Sequence, residues 1–126
     1  MNKSLKAFVR LRATDRCEYC QLPQSVASIR HGVDHIRAKK HHGKSDRSNT
    51  CLACAQCNTF KGSDVTGYDP VSDQLVLLFN PRTDDWTDHF QWNGPILNGL
   101  TPIGRATIEV LKINLTVRIE LRESLS

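Results

Sequence analysis

Two Cys-x2-Cys pairs constrain this chain of 126 residues more than any other feature of its sequence. Cys17 and Cys20 form the first pair, Cys54 and Cys57 form the second, and 33 residues separate them. Four sulfurs at this spacing complete the tetrahedron that a structural Zn2+ prefers, so the pattern predicts a zinc site that clamps a large insertion. One redox pair or unligated buried thiols are the alternatives, although no βαβ pattern surrounds either pair. We expect Cys51 to pack as a small buried apolar residue.

Length and composition predict one globular domain without a membrane span. The chain is 39% hydrophobic and 24% charged, which is typical of globular proteins. Its longest apolar run, residues 75–79, is far shorter than the roughly 20 residues that cross a bilayer. The first ten residues lack the apolar core of a signal peptide, so we expect a cytoplasmic protein without a membrane partner or a small-molecule cofactor.

Positive charge is concentrated in the first half of the chain. Residues 1–62 contain 12 Lys and Arg against 4 Asp and Glu, whereas residues 63–126 contain 5 against 9. Such an excess is the electrostatic footprint of proteins that bind polyanions. A basic face that only keeps the protein in solution would give the same count, and both interpretations stay open at this point.

Hydrophobic periodicity and turn signals predict alternating short helices and strands. In the first half they predict a helix over residues 4–14 with Ser4 as N-cap, strands over 28–36 and 49–53 around a basic loop, and a helix over about 57–63. In the second half they predict strands over 75–79, 88–92 and 96–100, then a helix from Thr101-Pro102 to about Asn114. Residues 115–121 alternate as in a strand, but a second helix is not excluded.

The insertion between the cysteine pairs contains an adjacent carboxylate and imidazole, Asp34 and His35. The carboxylate can hold a hard divalent metal, while the imidazole takes a proton from water near neutral pH. Asn58, directly after the last cysteine, offers an amide oxygen to the same metal. Lys61, one helical turn later, faces the same way and is placed to meet a phosphate. Asn49 can tie the loop backbone together through its side-chain amide.

In this order and spacing the residues resemble the HNH endonuclease motif. The matching residues are Cys17-x2-Cys20, Val33-Asp34-His35-Ile36 and Asn49-x4-Cys54-x2-Cys57-Asn58-x2-Lys61-Gly62. They fit the variant with four zinc-binding cysteines, whose signature positions here read His35, Asn49 and Asn58. The resemblance covers roughly residues 10–63 and implies an α+β fold in a single domain, 1–126. That fold is a zinc-clamped ββα-metal (His-Me finger) nuclease core, with a small β-rich extension over about 64–126 and a terminal helix.

The resemblance also implies a role for each matched residue. His35 would be the general base that activates water, and Asp34 and Asn58 would hold a catalytic Mg2+ or another divalent cation. Asn49 would brace the loop that orients His35. Zinc held by the four cysteines would stabilise the fold without taking part in cleavage. The last signature position is Asn58, where many family members have His, so the protein contributes few ligands to the catalytic metal.

DNA is the substrate and partner that the resemblance implies. We expect phosphate contacts from basic side chains beside the site, namely Lys39, Lys40, Lys44, Arg47 and Lys61. A homodimer would allow cleavage of both strands. The main alternative is a non-catalytic zinc module that binds nucleic acid or a protein and retains a degenerate HNH core. A thiol redox protein is a third hypothesis, which requires that the cysteines hold no metal.

Overall fold

The chain divides into two compact units in a computed structural model that describes residues 1–125. The N-terminal unit comprises Met1–Val65 with Asn80–Thr83, and the C-terminal unit comprises Thr66–Phe79 with the chain from Asp84 onward. Both contain helices and antiparallel strand pairs, so the predicted α+β class is confirmed. That the chain forms one domain stays a prediction. Among residues 1–125, no helix combines the length and apolar character needed to cross a membrane.

The N-terminal unit contains a hairpin followed directly by a helix. Its elements are helix α1 (Lys3–Arg12), strand β1 (Gly32–His35), strand β2 (Thr50–Ala53) and helix α2 (Ala55–Lys61). β1 and β2 are antiparallel, with Gly32 opposite Ala53 and Asp34 opposite Cys51. The order β1, β2, α2 agrees with the ββα core that the sequence predicts, and β2 is buried along its whole length.

Capping interactions explain where the helices of this unit differ from the prediction. The side chain of Asn2, not Ser4, caps α1 by accepting a hydrogen bond from Leu5 N at 2.7 Å, so the helix starts at Lys3. In α2 the sulfur of Cys54 accepts from Cys57 N at 3.4 Å, and the helix therefore begins two residues earlier than predicted. Val9 is the buried residue of α1, whereas Leu11 is 80% exposed.

The C-terminal unit consists of two hairpins packed with helices around a small aromatic and aliphatic core. Its elements are β3 (Thr66–Tyr68), β4 (Leu75–Leu77), α3 (Trp86–His89), β5 (Phe90–Asn93), β6 (Ile96–Gly99), α4 (Pro102–Val110) and α5 (Thr116–Ser124). β3 pairs with β4, β5 pairs with β6, and α4 packs against three of these strands. Strand β3 and helix α3 were not predicted. With three helices, the unit is less dominated by strands than the sequence suggests.

Residues 115–121, where the sequence signal was divided, belong to the helix α5. The alternating apolar residues Leu115, Val117 and Leu121 are 42%, 55% and 40% exposed, so they do not form a buried strand face. Arg118 is the buried residue of α5, and its Nη1 donates to the carbonyl of Leu111 at 2.9 Å. The guanidinium thus pairs with a carbonyl at the end of α4, where the helix itself supplies no donor, and anchors α5 there.

We expect Arg118→Ala to lower the free energy of unfolding by about 1–3 kcal/mol, because the buried Leu111 carbonyl loses its donor. Tryptophan fluorescence during denaturation reports on this unit, since both tryptophans, Trp86 and Trp92, lie in it. Glu120→Ala, at an exposed position of the same helix, is the control and should change stability by less than about 0.5 kcal/mol. Equal unfolding midpoints for the two variants would contradict the stabilising role that we assign to the Arg118 guanidinium.

Candidate functional site

The four paired cysteines converge in the N-terminal unit. The sulfurs of Cys17, Cys20, Cys54 and Cys57 all lie within 4.8 Å of one another, and all four residues are buried. The Cys20 and Cys54 sulfurs are 3.7 Å apart. A tetrahedral ion with Zn–S bonds of about 2.3 Å separates its sulfurs by about 3.8 Å. The cluster is therefore positioned to bind a metal ion, as predicted, and its donor set fits zinc.

Local backbone geometry prepares these sulfurs to act as ligands. Cys17 Sγ accepts from Cys20 N at 3.5 Å, and Cys54 Sγ accepts from Cys57 N at 3.4 Å. Burial raises the pKa of Cys17 well above its ordinary value, whereas hydrogen bonds from Cys17, Cys20 and Cys57 hold the pKa of Cys54 well below its own. These contacts favour the thiolate of Cys54, which is the form that binds a metal ion.

The first cysteine pair is attached to strand β2 through Glu18. Its backbone N–H donates to Leu52 O at 2.8 Å, and its carboxylate accepts from Leu52 N at 2.7 Å. The same carboxylate forms an ion pair with Arg82, from the segment Asn80–Thr83. These contacts fix the loop that carries Cys17 and Cys20 against the hairpin.

Asp34 lies at the centre of a buried polar cluster on the hairpin. Its Oδ2 accepts a hydrogen bond from the Tyr19 hydroxyl at 2.8 Å and lies 3.7 Å from Cys51 Sγ. Lys61 Nζ is 3.2 Å from Oδ2 and 3.5 Å from Oδ1. None of the four side chains is more than 4% exposed. The carboxylate thus has a fixed orientation and a charged partner inside the protein.

Tyr19 and Cys51 are the members of this cluster to which sequence reasoning gave no role at the site. Cys51 is fully buried as expected, and burial raises the pKa of its thiol, which therefore stays protonated. The hairpin register, which places Cys51 opposite Asp34, is the signal that reveals this contact. Tyr19 stands between two ligand cysteines, and a buried tyrosine hydroxyl normally has a polar partner. That requirement predicts a buried polar partner for Tyr19, which the structure shows to be Asp34.

Lys61 lies inside the site rather than on its surface, which corrects the expectation that it meets a phosphate. Besides its ion pair with Asp34, its ammonium donates to the carbonyls of His35 and Ile36, each at 3.2 Å. An ammonium has three hydrogens, and these contacts engage all of them. With 2% of its surface exposed, Lys61 secures the end of β1 and leaves no donor for DNA.

His35 follows Asp34 at the end of β1 and is partly exposed. Its Nε2 lies 2.8 Å from the hydroxyl of Ser45. Burial is the main cause that lowers the pKa of His35, and the positive charge of Lys39 lowers it further. This shift favours the neutral imidazole, which is the state that accepts a proton.

Asn49 closes the loop between the two strands by contacts to backbone groups. Its Nδ2 donates to the carbonyls of Arg37 and Lys44, each at 2.9 Å, and its Oδ1 accepts from Arg37 N at 2.9 Å. Gly43 allows the chain to pass close to this point, because a Cβ there would lie 1.7 Å from Arg37 O. The loop geometry next to His35 thus depends on Asn49 and Gly43.

Asn58 lies beside strand β1, and its side chain and that of Asp34 both carry oxygen atoms. Asn58 Nδ2 lies 3.6 Å from the position of a Cβ added at Gly32, which shares a side of β1 with Asp34. Within residues 1–125 the Asn58 amide makes no hydrogen bond, and Asp34 Oδ1 has only the 3.5 Å contact with Lys61. Amide and carboxylate oxygens are hard donors, so this pair fits Mg2+.

The basic loop beside His35 presents three lysines to solvent. Lys39, Lys40 and Lys44 are exposed, and none of their side chains forms an ion pair in the described part of the chain. Arg47 is exposed but stacks on the Phe8 ring, with its guanidinium carbon 3.9 Å from the ring centroid. Lys39 is near enough to His35 to influence its pKa, so the loop lies close to the site.

In a comparison with known protein families, the segment that contains these residues matches one family. Residues 17–64 match the family described as HNH endonuclease. The matched segment includes both cysteine pairs, Asp34, His35, Asn49 and Asn58, so the resemblance noted from the sequence is confirmed over this range. Searches of curated proteins and of solved structures each returned no match.

Proposed function

We propose, with the HNH match over residues 17–64 as the premise, that this protein is a metal-dependent DNA endonuclease that hydrolyses phosphodiester bonds. The supporting observation is the pairing of a neutral, partly exposed imidazole with a buried, oriented carboxylate on consecutive residues of β1. A module that only binds DNA does not need a base beside a hard-metal ligand. The proposed acid–base chemistry follows from these two residues.

In the proposed mechanism His35 takes a proton from the attacking water. Nε2 is the ring nitrogen that lies 2.8 Å from the Ser45 hydroxyl, and the attacking water would take the place of this hydroxyl. We assign Nε2 as the proton acceptor. Asn49 keeps the loop that carries Ser45 closed by its contact with Lys44 O, so the distance between the loop and the imidazole is maintained.

Asp34 and Asn58 would hold the catalytic divalent cation. When bound, this cation polarises the scissile phosphate and stabilises the departing 3′ oxygen. Tyr19 and Lys61 hold Asp34 in its buried orientation, through the 2.8 Å hydrogen bond and the 3.2 Å ion pair. With only two protein ligands, phosphate and water must complete the coordination shell.

A structural zinc ion in the four-cysteine cluster is part of the same proposal. Four sulfurs leave no coordination position open for water or substrate, which is the arrangement of structural rather than catalytic zinc. Cys17, Cys20, Cys54 and Cys57 would hold the ion, which would join the Cys17–Cys20 loop to the start of α2 and so connect the two ends of the hairpin segment. It would support the site without entering the reaction.

Lys39, Lys40 and Lys44 would bind DNA phosphates next to His35. Contacts of this kind give an affinity that depends on salt and not on base sequence. Arg47 would join them from its position on the Phe8 ring, where its guanidinium stays exposed. A homodimer and a cytoplasmic location stay predictions from the sequence.

The proposal is tested with purified protein and supercoiled plasmid, in the presence of Mg2+ or Mn2+ and, in parallel, of EDTA. We expect conversion to nicked or linear DNA with 5′-phosphate and 3′-hydroxyl ends, and no conversion with EDTA. A folded, zinc-loaded protein that binds DNA but leaves several plasmids intact with either metal would contradict it.

One observation favours the alternative of a non-catalytic zinc module. The Lys61 ammonium already neutralises the charge of Asp34, which lowers the attraction of this carboxylate for a cation. In a binding module, the same ion pair would serve only to stabilise the hairpin. Titration of the protein with Mn2+, followed by paramagnetic broadening of the His35 ring signals, separates the two candidates, because only the nuclease requires a cation at this place.

We expect Tyr19→Phe to reduce cleavage by about 10–100-fold and to raise the Mg2+ concentration needed for half-maximal rate, because Asp34 loses the donor that orients it. Zinc content should not change, since the sulfurs are untouched. Tyr68→Phe, at a position 61% exposed in the C-terminal unit, is the matched control. An unchanged Mg2+ dependence of Tyr19→Phe would show that the hydroxyl does not position Asp34.

A further inference from the structure

A groove of about 640 Å3 lies between helix α1 and the chain that leads into strand β1. Four cationic side chains line it, Lys3, Lys6, Arg10 and Arg30, together with Gly32 and Val33 of β1. Among residues 1–125, no carboxylate belongs to its lining. We call this feature the α1 groove. It is a different surface from the basic loop 37–48, which contains most of the residues that we expected, from the sequence, to contact DNA.

The cations on α1 form a stripe along one face of the helix. Lys3, Lys6 and Arg10 are separated by three and four residues, a spacing that places side chains on the same face. At a rise of 1.5 Å per residue, the stripe is about 10 Å long. One strand of B-form DNA presents about three phosphates over the same axial distance. The stripe therefore matches a chain of phosphates better than a single anion.

The free charge of the groove comes from Lys3, Lys6 and Arg30. These three side chains are exposed, and they form no hydrogen bond or ion pair among residues 1–125. Arg10 is instead committed to the protein, because its guanidinium donates to His31 O and pairs with Asp15 at 3.7 Å. Arg10 thus holds the two walls of the groove together, while three uncompensated cations face solvent.

The groove ends at two residues of β1, Gly32 and Val33, that directly precede the candidate catalytic residues in the chain. Gly32, which lines it, lies beside the Asn58 amide, with 3.6 Å between Nδ2 and an added Cβ. Val33, which also lines it, directly precedes Asp34 and His35 in β1. A phosphate chain bound along α1 would therefore lie next to the strand that carries Asp34 and His35.

We infer that the α1 groove binds the phosphate backbone of the DNA on which the site acts, an inference that rests on the proposed function. The groove supplies the long positive track, and the basic loop contacts phosphates next to His35. Binding through the groove is independent of base sequence, because the lining cations recognise phosphate charge. The DNA-binding surface therefore includes α1, which lies outside residues 17–64.

The test measures how DNA affinity depends on salt, using the full chain with His35→Ala so that no cleavage occurs. The groove variant Lys6→Gln/Arg30→Gln removes two exposed cations, and Arg16→Gln/Lys112→Gln removes two exposed cations elsewhere. Each lost phosphate contact lowers the slope of log affinity against log salt by about 1. We expect a slope reduced by about 2 in the groove variant, with weaker binding of several unrelated duplexes, and no change in the control.

The possible results distinguish failure of this inference from failure of the proposed function. If the groove variant has the same slope as its His35→Ala parent, the inference that the groove binds DNA is wrong, even where the wild-type protein cleaves plasmid. A parent protein that binds no duplex at all overturns both proposals. Lys6→Arg/Arg30→Lys keeps both charges and should keep the slope of the parent. If this conservative variant loses as much slope as the Gln variant, the effect comes from altered structure and the inference is wrong.

Discussion

His35→Ala is expected to reduce plasmid cleavage by about 10²–10⁴-fold, the usual contribution of a general base. The variant removes the only atom to which we assign proton transfer, His35 Nε2, and leaves the other contacts of the site in place. Lys61 bonds the carbonyl of His35 rather than its ring, so this contact survives the substitution. Zinc content and DNA affinity should stay near those of the wild-type protein.

His41→Ala is the matched control for this variant. His41 is an exposed histidine of the same loop region, and its contact with Arg37 uses the backbone carbonyl, which the substitution keeps. We expect wild-type cleavage from His41→Ala. Cleavage by His35→Ala at the rate of the control would remove His35 from the mechanism, whereas equal loss in both variants would indicate damage to the loop.

Cys54→Ser is expected to release zinc and to unfold the N-terminal unit. Zinc in a four-sulfur site contributes about 10–16 kcal/mol to folding, as much as the roughly 5–15 kcal/mol by which a whole domain is stable. Cys54 also caps α2 and lies 3.7 Å from Cys20 Sγ, so its loss affects both cysteine pairs. Zinc per chain and the circular dichroism melting curve measure the two effects.

Cys51→Ser provides a control with the same chemical change at a cysteine outside the cluster. Cys51 is buried but is not one of the four grouped sulfurs, so zinc content should equal that of the wild-type protein. A folded, metal-free Cys54→Ser protein would refute structural zinc. Loss of zinc from Cys51→Ser would show that the ligand set has been assigned wrongly.

The parts of the structure that could be predicted from the sequence depend on residues that lie close together in the chain. Two residues between paired cysteines are enough to turn both sulfurs inward, and the cluster is found as predicted. The hairpin and α2 follow from apolar runs that flank a polar loop. Helix α4 begins as predicted because Thr101 caps it by accepting from Gly104 N, with Pro102 at its first position.

The parts that sequence reasoning missed depend on contacts between distant residues. From its position in the helix, Lys61 was expected to be exposed. In the structure its ammonium contacts the carboxylate of Asp34, 27 positions earlier in the chain, and the side chain is buried. Helix α5 could not be distinguished from a strand, because its buried anchor is a guanidinium rather than an apolar stripe. The α1 groove was missed because Arg30 is brought to α1 only by the packing of β1.

The way in which Asn49 closes the loop has a consequence for evolution. Its three hydrogen bonds engage only main-chain atoms of Arg37 and Lys44, so they place no demand on the identity of those side chains. With Asn49 and Gly43 retained, these three contacts persist whatever side chain stands at position 44. Related proteins could therefore change what they recognise around the scissile bond without moving the residue that performs the chemistry.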